Sequence, residues 1–132
     1  MHVFTYGSLM FPAVWQRVVR GDYRALPAML PGYARYEVMG ETYPGMVRQS
    51  GSAVNGMLYL DVDDADLLTL DAFEGSEYRR DVVNVSVTAE QNLTAVTYVF
   101  TANERLTTQP WDPESFRITQ FMDAYCRDPQ DK

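Results

Sequence analysis

The order of the apolar repeats along the chain constrains its fold more than any other feature of the sequence. Apolar and polar residues alternate over residues 2–6, 54–60, 83–87 and 96–100, which is the period of β-strands. Helical periodicity instead follows Pro12, Asp63 and Asp112. Strands and helices therefore do not alternate regularly, as they would in a parallel α/β sheet. The sequence predicts an α+β fold, a small mixed β-barrel or sheet with flanking helices.

Prolines, acidic residues and glycines indicate where the first two helices begin and end. Pro12 suits the first turn of a helix, and Gly21 is a natural stop for it. The acidic run at residues 63–66 favours a helix start, because negative side chains are stabilised at the positive end of the helix dipole. We expect this second helix to end at Gly75.

Three other segments are harder to assign from their patterns. Residues 25–38 contain two prolines and a glycine, which predicts short strands or extended pieces. Residues 43–45 (Tyr-Pro-Gly) are typical of a turn. A last amphipathic helix is expected over about residues 113–126.

The length and composition predict a single domain over residues 1–132. The chain is 46% hydrophobic and 22% charged, as expected of a folded domain rather than a disordered or membrane-spanning chain. Residues 1–6 lack the basic start and the long apolar stretch of a secretion signal. The single cysteine, Cys126, allows no intrachain disulfide. We therefore expect a cytoplasmic protein.

Charge narrows the range of expected partners and chemistries. Acidic side chains outnumber basic ones by 18 to 11, a net charge of −7. Such a surface repels nucleic acid and anionic lipid, so we expect neither as a partner, although a small anionic substrate is compatible with it. One histidine and one cysteine form no metal-ligand cluster and offer little for a nucleophilic triad. Catalysis would then rest mainly on carboxylates, tyrosines, arginines and backbone amides, and exposed aromatic residues could support a homodimer.

The segment 67–80 carries the strongest candidate for chemistry. On a helix, its residues Leu67, Leu70, Asp71 and Glu74 recur at i, i+3, i+4 and i+7. The Glu74 carboxyl group then shares a face with core leucines, and burial would raise its pKa towards the range of a general acid/base. The alternative is that Glu74 ends the helix and faces water beside Gly75. Arg79 and Arg80 are either ordinary charges at a strand start, or one of them pairs with a carboxylate or binds a substrate carboxylate.

A second candidate site lies where the first predicted strand ends, at residues 6–9 (Tyr-Gly-Ser-Leu). A strand that turns at a glycine before a helix points successive backbone N–H groups into one concavity, and such a nest binds anions and oxyanions. Ser8 is a poor nucleophile candidate because the single histidine, His2, belongs to the same strand. Six tyrosines either line a pocket or lie at the edge of the core: Tyr33, Tyr36, Tyr43, Tyr59, Tyr78 and Tyr98.

Together these segments resemble the gamma-glutamylcyclotransferase-like superfamily, including its avirulence-induced-gene-like branch and the gamma-glutamylamine cyclotransferases. The matching residues are Tyr6, Gly7, Ser8 and Leu9, then Leu70, Asp71, Phe73, Glu74, Gly75, Tyr78 and Arg80. The segment 43–45 is similar to the family's Tyr-Pro segment, and Tyr98 to its late-strand tyrosine. The resemblance covers about residues 2–101 and leaves out the predicted C-terminal helix.

The resemblance implies a small mixed barrel and, in active members, an enzyme that cyclises a gamma-glutamyl group to 5-oxoproline and releases an amine without a cofactor. Carried over by motif, Glu74 is the general acid/base. The amides of residues 6–9 hold the glutamyl part, and Tyr43, Arg80 and Tyr98 are further substrate contacts. The alternative is a metabolite-binding protein, or a different amide or amine reaction in the same pocket, since a shared fold does not determine the chemistry.

Overall fold

The computed structural model describes residues 1–116 as a mixed sheet with two helices. The elements are β1 (Val3–Thr5), α1 (Pro12–Val18), β2 (Ala25–Val38), β3 (Pro44–Tyr59), α2 (Asp64–Glu74), β4 (Tyr78–Ser86), β5 (Asn92–Phe100) and β6 (Leu106–Pro110). Short 3-10 turns lie at Ser8–Met10, Asn103–Arg105 and Pro113–Ser115. The predicted α+β class is confirmed, and β6 is a strand that the sequence pattern did not indicate.

Five of the strands close into a barrel. Their order is β3-β1-β5-β4-β2, and β2 pairs again with β3, while β6 adds to β2 as an extra strand. β1 runs parallel to β5, and the other paired strands are antiparallel. The small mixed barrel expected from the sequence is therefore confirmed.

The predicted break within residues 25–38 is wrong, because β2 is one continuous strand. It pairs with β3 along its length, including Pro27 opposite Met57 and Pro31 opposite Ala53. Proline cannot donate to a strand ladder and is tolerated next to bulges. The register shifts just after Pro31, where Gly32 has a φ of +81°. This irregularity lets the strand pass its second proline without ending.

Two other boundaries also differ from the sequence prediction. Pro44 begins β3, and the chain reverses before it, around Gly40 with its φ of +74°. The turn predicted at residues 43–45 is therefore displaced towards the N-terminus. Helix α1 ends at Val18, three residues before the expected stop at Gly21.

Helix α2 begins and ends where the sequence predicts. The Asp63 carboxylate accepts a 2.8 Å hydrogen bond from the Asp66 N–H at the N-terminus, and Gly75 follows Glu74 with a φ of +82°. The carboxylate of Asp66, which is only 3% exposed, accepts hydrogen bonds from Arg20 N–H, Gly21 N–H and the Tyr23 hydroxyl. These bonds tie α2 to the segment that follows α1.

The core divides into two parts, because neighbouring residues of a strand point to opposite faces. One part fills the barrel and includes Phe4, Leu30, Met46, Leu58 and Val85. The other lies between the barrel and the helices and includes Val3, Val14, Trp15, Tyr59 and Leu70. In the second part the Trp15 and Tyr59 rings stack with centroids 3.7 Å apart. The helices are thereby held against one side of the barrel.

The predicted C-terminal helix falls largely beyond the described residues. Of it, only a 3-10 turn at Pro113–Ser115 is described, capped by the Asp112 carboxylate, which accepts the Glu114 N–H. The remainder of that helix, with Cys126, lies outside residues 1–116. Among the described helices, none has the length and apolar character needed to cross a membrane.

Candidate active site

A cavity of about 270 Å³ lies where the end of β1 meets the C-terminal end of α2. Strand, loop and helix residues all contribute to its wall. The lining residues are Phe4, Thr5, Tyr6, Gly7, Ser8, Leu9, Tyr43, Pro44, Phe73, Glu74, Tyr78 and Tyr98. Most of this wall is aromatic or apolar, with a few polar groups, as is usual for small-molecule sites. Its size suits a small metabolite.

Glu74 provides the carboxyl group of the cavity. It is the last residue of α2, where Gly75 turns the chain away, and it keeps a fraction of its surface accessible within the cavity. Desolvation by the surrounding protein raises the pKa of Glu74 to about 8, against an ordinary value of 4.5. A group with this pKa can take up and release protons near neutral pH.

The loop after β1 forms the wall that carries backbone amides. Residues 8–10 form a 3-10 turn, in which Met10 N–H donates to the Gly7 carbonyl oxygen. The first N–H groups of such a turn have no acceptor within it. Within residues 1–116, no hydrogen bond is found from the N–H groups of Gly7, Ser8 or Leu9. These donors are therefore available to a ligand in the cavity.

Gly7 is required here because of a close approach to Pro44. A Cβ atom placed on Gly7 would lie 2.8 Å from Pro44 Cδ. The first residue of β3 therefore packs directly on the loop that carries the amides. The two sequence motifs at residues 6–9 and 43–45 meet at this contact.

Tyr6 and Tyr98 link the loop to α2 through hydrogen bonds. The Tyr6 hydroxyl donates to the Tyr98 carbonyl oxygen, and the Tyr98 hydroxyl donates to Asp71 Oδ1 over 2.6 Å. Burial, and then the hydrogen bond to Asp71, raise the pKa of Tyr98 far above its ordinary value. The Tyr98 phenol is therefore a hydrogen-bond donor at neutral pH rather than an acid.

Two more tyrosines form the side of the cavity next to β3. The Tyr78 hydroxyl donates to the Pro44 carbonyl oxygen over 2.8 Å, and the Tyr43 hydroxyl donates to Glu41 over 2.7 Å. The rings of Tyr43 and Tyr78 lie 6.4 Å apart. Both hydroxyl groups are thus already bonded to the protein.

The structure brings together all but one of the residues that the sequence singled out. Tyr6, Gly7, Ser8, Leu9, Tyr43, Glu74 and Tyr98 all line the cavity. Arg80 is exposed, lies outside the lining, and places its guanidinium 3.3 Å from Asp71 Oδ2. A direct contact between Arg80 and substrate stays a prediction.

Sequence reasoning offered Tyr78 as one of the tyrosines that could line a pocket, but it did not place Pro44 or Phe73 in the site, although both belong to the motifs that it used. It also missed Arg35, which donates a hydrogen bond to the carbonyl oxygen of Tyr6. Nothing in the local pattern of β2 marks Arg35, because the contact joins residues 29 positions apart. Within residues 1–116, no three His, Cys, Asp or Glu side chains are grouped so that they could hold a metal ion.

The chain is similar in sequence to known proteins over most of its length. A family model described as gamma-glutamyl cyclotransferase, AIG2-like, matches residues 3–115. Protein AIG2 C of Arabidopsis thaliana is 34% identical over 130 residues, covering 94% of this chain and 78% of that protein. AIG2-like protein D of the same plant is 33% identical over 124 residues, covering 92% and 77%.

Solved structures show the same fold. A solution structure of an Arabidopsis thaliana protein superposes with a TM-score of 0.72 at 32% identity, covering 93% of this chain and 76% of that one. A structure described as gamma-glutamyl cyclotransferase superposes with a TM-score of 0.70, covering 98% and 82%. At 17% identity, the second likeness is one of fold alone.

Proposed function

The chain belongs to the AIG2-like gamma-glutamyl cyclotransferase family, and from this membership and the cavity around Glu74 we propose that it is a cyclotransferase. The proposed reaction converts the gamma-glutamyl group of a small molecule to 5-oxoproline and releases an amine. The observation that carries the proposal is the Glu74 carboxyl group, with its pKa raised to about 8, in one cavity with the amide loop at residues 7–9. The proposed setting is a single cytoplasmic domain that needs no cofactor.

Ring closure is intramolecular in this proposal. The α-amino nitrogen of the substrate attacks its own γ-carbonyl carbon, a new C–N bond closes the five-membered ring, and the bond to the leaving nitrogen breaks. The cavity then has to hold a folded conformer of the substrate, and such positioning supplies a large part of the rate in intramolecular reactions. The aromatic faces of Tyr43, Tyr78 and Phe73 restrict the space in which the substrate can extend.

Glu74 relays the protons. The α-ammonium group loses two protons in the overall reaction and the leaving nitrogen gains two, so one group that takes up and gives back a proton serves both steps. An ordinary carboxyl group is a weak base towards an ammonium ion. A pKa of about 8 brings Glu74 much closer to the pKa of an amine, which lowers the cost of the first transfer.

The amides of Gly7, Ser8 and Leu9 bind negative charge in this proposal. They hold either the α-carboxylate of the substrate or the oxyanion that develops on the γ-carbonyl oxygen. Both alternatives use the same three donors. They differ in kinetics, because carboxylate binding acts on the ground state and oxyanion binding acts on kcat.

The test is release of 5-oxoproline from a panel of gamma-glutamyl amides by wild type and by Glu74→Gln. Gln preserves the shape of the side chain and removes its titration, so we expect kcat to fall by about a factor of 100 or more. Glu90→Gln is the matched control, because Glu90 is exposed in the turn between β4 and β5. Normal turnover by Glu74→Gln would overturn the role of Glu74. No product from any amide, with binding intact, would indicate a metabolite-binding protein instead.

A further inference from the structure

Arg35 lies behind the amide loop rather than in the cavity. It belongs to β2, opposite Met46 of β3, and its Nη1 donates to the Tyr6 carbonyl oxygen over 2.7 Å and to the Asn55 carbonyl oxygen over 3.2 Å. It does not line the cavity around Glu74. The contact with Tyr6 is therefore made outside the cavity.

Trp111 holds the guanidinium of Arg35 in place. The Arg35 guanidinium carbon lies 5.3 Å from the centre of the Trp111 ring, within the range of a cation–π contact. Trp111 is itself buried, and its indole N–H donates to the Thr42 carbonyl oxygen over 2.9 Å. Arg35 is thus held by the aromatic face of Trp111 and by two backbone carbonyl groups. A long side chain fixed in this way loses little further entropy in holding the loop.

The bond to Tyr6 constrains the direction of the next amide. The Tyr6 carbonyl and the Gly7 N–H belong to one planar peptide unit, in which the two groups point in opposite directions when the bond is trans. Because Arg35 binds the carbonyl oxygen, the Gly7 N–H points away from Arg35, and Gly7 itself lines the cavity.

The Tyr6–Gly7 peptide unit needs such a constraint because glycine restricts its rotation less than other residues do. Rotation of the Tyr6–Gly7 peptide unit would turn the N–H away from the cavity and the carbonyl oxygen into it, and Gly7 permits such rotation more readily than other residues. A carbonyl oxygen facing the cavity would repel a carboxylate or an oxyanion. We infer that Arg35 is a positioning residue, which selects the orientation of the Tyr6–Gly7 peptide unit that presents the Gly7 N–H to the negatively charged part of the ligand.

The charge of Arg35 acts in the same direction. A hydrogen bond from a guanidinium is charge-assisted, and it draws electron density towards the carbonyl oxygen, so the N–H of the same peptide unit becomes a stronger donor. In a chain with a net charge of −7, a cation placed behind the loop also offsets repulsion of an anionic ligand. The catalytic consequence rests on the proposed cyclotransferase function, whereas the orientation of the peptide unit does not.

The experiment compares Arg35→Met with Arg48→Met. Arg48 is the matched control, since it also lies over an aromatic ring, with its guanidinium carbon 5.5 Å from the Tyr33 ring centre. It is exposed, and in the described part of the chain it makes no hydrogen bond to residues 6–9. The first readout is the backbone amide NMR signals of Gly7 and Ser8 in the ligand-free protein. The second is kcat/KM for a gamma-glutamyl amide that the wild type turns over.

We expect Arg35→Met to shift or broaden the Gly7 and Ser8 amide signals and to lower kcat/KM at least tenfold, while Arg48→Met changes neither. A rise in KM alone would assign the Gly7 amide to the substrate carboxylate, and a fall in kcat would assign it to the oxyanion; either supports the inference. Arg35→Lys, which keeps the charge, serves if Arg35→Met does not fold, and should show the same changes to a smaller extent.

Wild-type Gly7 and Ser8 amide signals in a folded Arg35→Met protein, or in Arg35→Lys where that variant is used, would overturn the inference. This result can be told apart from failure of the proposed function. If the wild type turns over no gamma-glutamyl amide, the kinetic readout is lost, but the amide signals of the ligand-free protein still decide whether Arg35 orients the loop.

Discussion

The hydroxyl group of Tyr98 donates a 2.6 Å hydrogen bond to the carboxylate of Asp71, which lies one helical turn before Glu74. This bond joins β5 to α2 at the wall of the cavity. A side chain that the family motif presents as a substrate contact is thus already engaged with the protein. Tyr98 and Asp71 therefore hold the site together, whereas Glu74 is the group whose protonation changes near neutral pH.

Replacing Tyr98 by Phe should therefore weaken the site without changing its acid/base chemistry. The change removes one hydrogen bond to a charged group, so we expect a loss of about 2 kcal/mol in the free energy of unfolding and a fall in kcat/KM of about tenfold or less. The pH dependence of kcat/KM should keep its wild-type midpoint. Tyr36→Phe is the control, because the Tyr36 hydroxyl bonds to Gln49 away from the cavity. A moved midpoint would assign Tyr98 a direct part in proton transfer.

The pH dependence of activity should report the titration of Glu74. The pH profile of kcat/KM reflects ionisations in the free enzyme, and the carboxylate form of Glu74 is the base that begins the proposed reaction. Because burial raises the pKa of Glu74 to about 8, kcat/KM should increase with pH up to about 8. The measurement is the initial rate at low substrate concentration between pH 3.5 and 9 (roughly the range that spans both the ordinary and the raised pKa). An acidic limb centred near the ordinary value of 4.5 would contradict a buried, perturbed Glu74.

The same pKa shift should appear in stability. The pKa of Glu74 is about 8 in the folded protein and near 4.5 when unfolded, so between these values the folded state binds a proton that the unfolded state has lost. The free energy of unfolding should therefore fall as pH rises from about 4.5 to about 8. Relative to Glu74→Gln, which cannot titrate, the fall in wild type should approach about 5 kcal/mol, since each pKa unit between 4.5 and about 8 corresponds to about 1.4 kcal/mol.

Urea unfolding of wild type and Glu74→Gln across that pH range measures this difference directly. Other titrating groups contribute equally to both proteins and cancel in the comparison. A constant difference between the two proteins from pH 4 to pH 9 (roughly the range that spans both pKa values) would show that the pKa of Glu74 does not change on folding.

Gly7→Ala should damage both the amide loop and the packing beneath it. The added Cβ would lie 2.8 Å from Pro44 Cδ, so either the loop or the start of β3 has to move. We expect a loss of about 1–3 kcal/mol in the free energy of unfolding, as for other overpacked sites, and a fall in kcat/KM of at least tenfold.

Gly51→Ala provides the control for this change. Gly51 has a φ of +83° and open space around it, so an alanine there is strained by about 1 kcal/mol without a clash. Gly51 does not line the cavity around Glu74, and its replacement should leave kcat/KM unchanged. Equal activity of the Gly7→Ala and Gly51→Ala proteins would show that the position of the amide loop is not important for turnover.

Local patterns in the sequence determined several helices and strands of this protein and the main candidate residues of its site. The acidic start of α2, its end at Gly75 and the alternating segments of β4 and β5 are short-range features, because caps and strand periods depend on neighbours within a few residues. The motifs at residues 6–9 and 70–80 similarly identified the amide loop and Glu74 as candidates. Short-range rules failed at the prolines of β2, which continues past Pro31 with a shift of its register against β3.

What the sequence alone left open for Glu74 was whether its carboxyl group faced water or protein. Only the tertiary structure decided this, because desolvation depends on β1, β3 and β5 meeting the end of α2 around one cavity. The bonds from Tyr98 to Asp71 and from Arg35 to Tyr6 likewise join residues 27 and 29 positions apart. Hydrogen bonds and burial act through space, so contacts made by closing a barrel leave no mark in the period or spacing of any one segment.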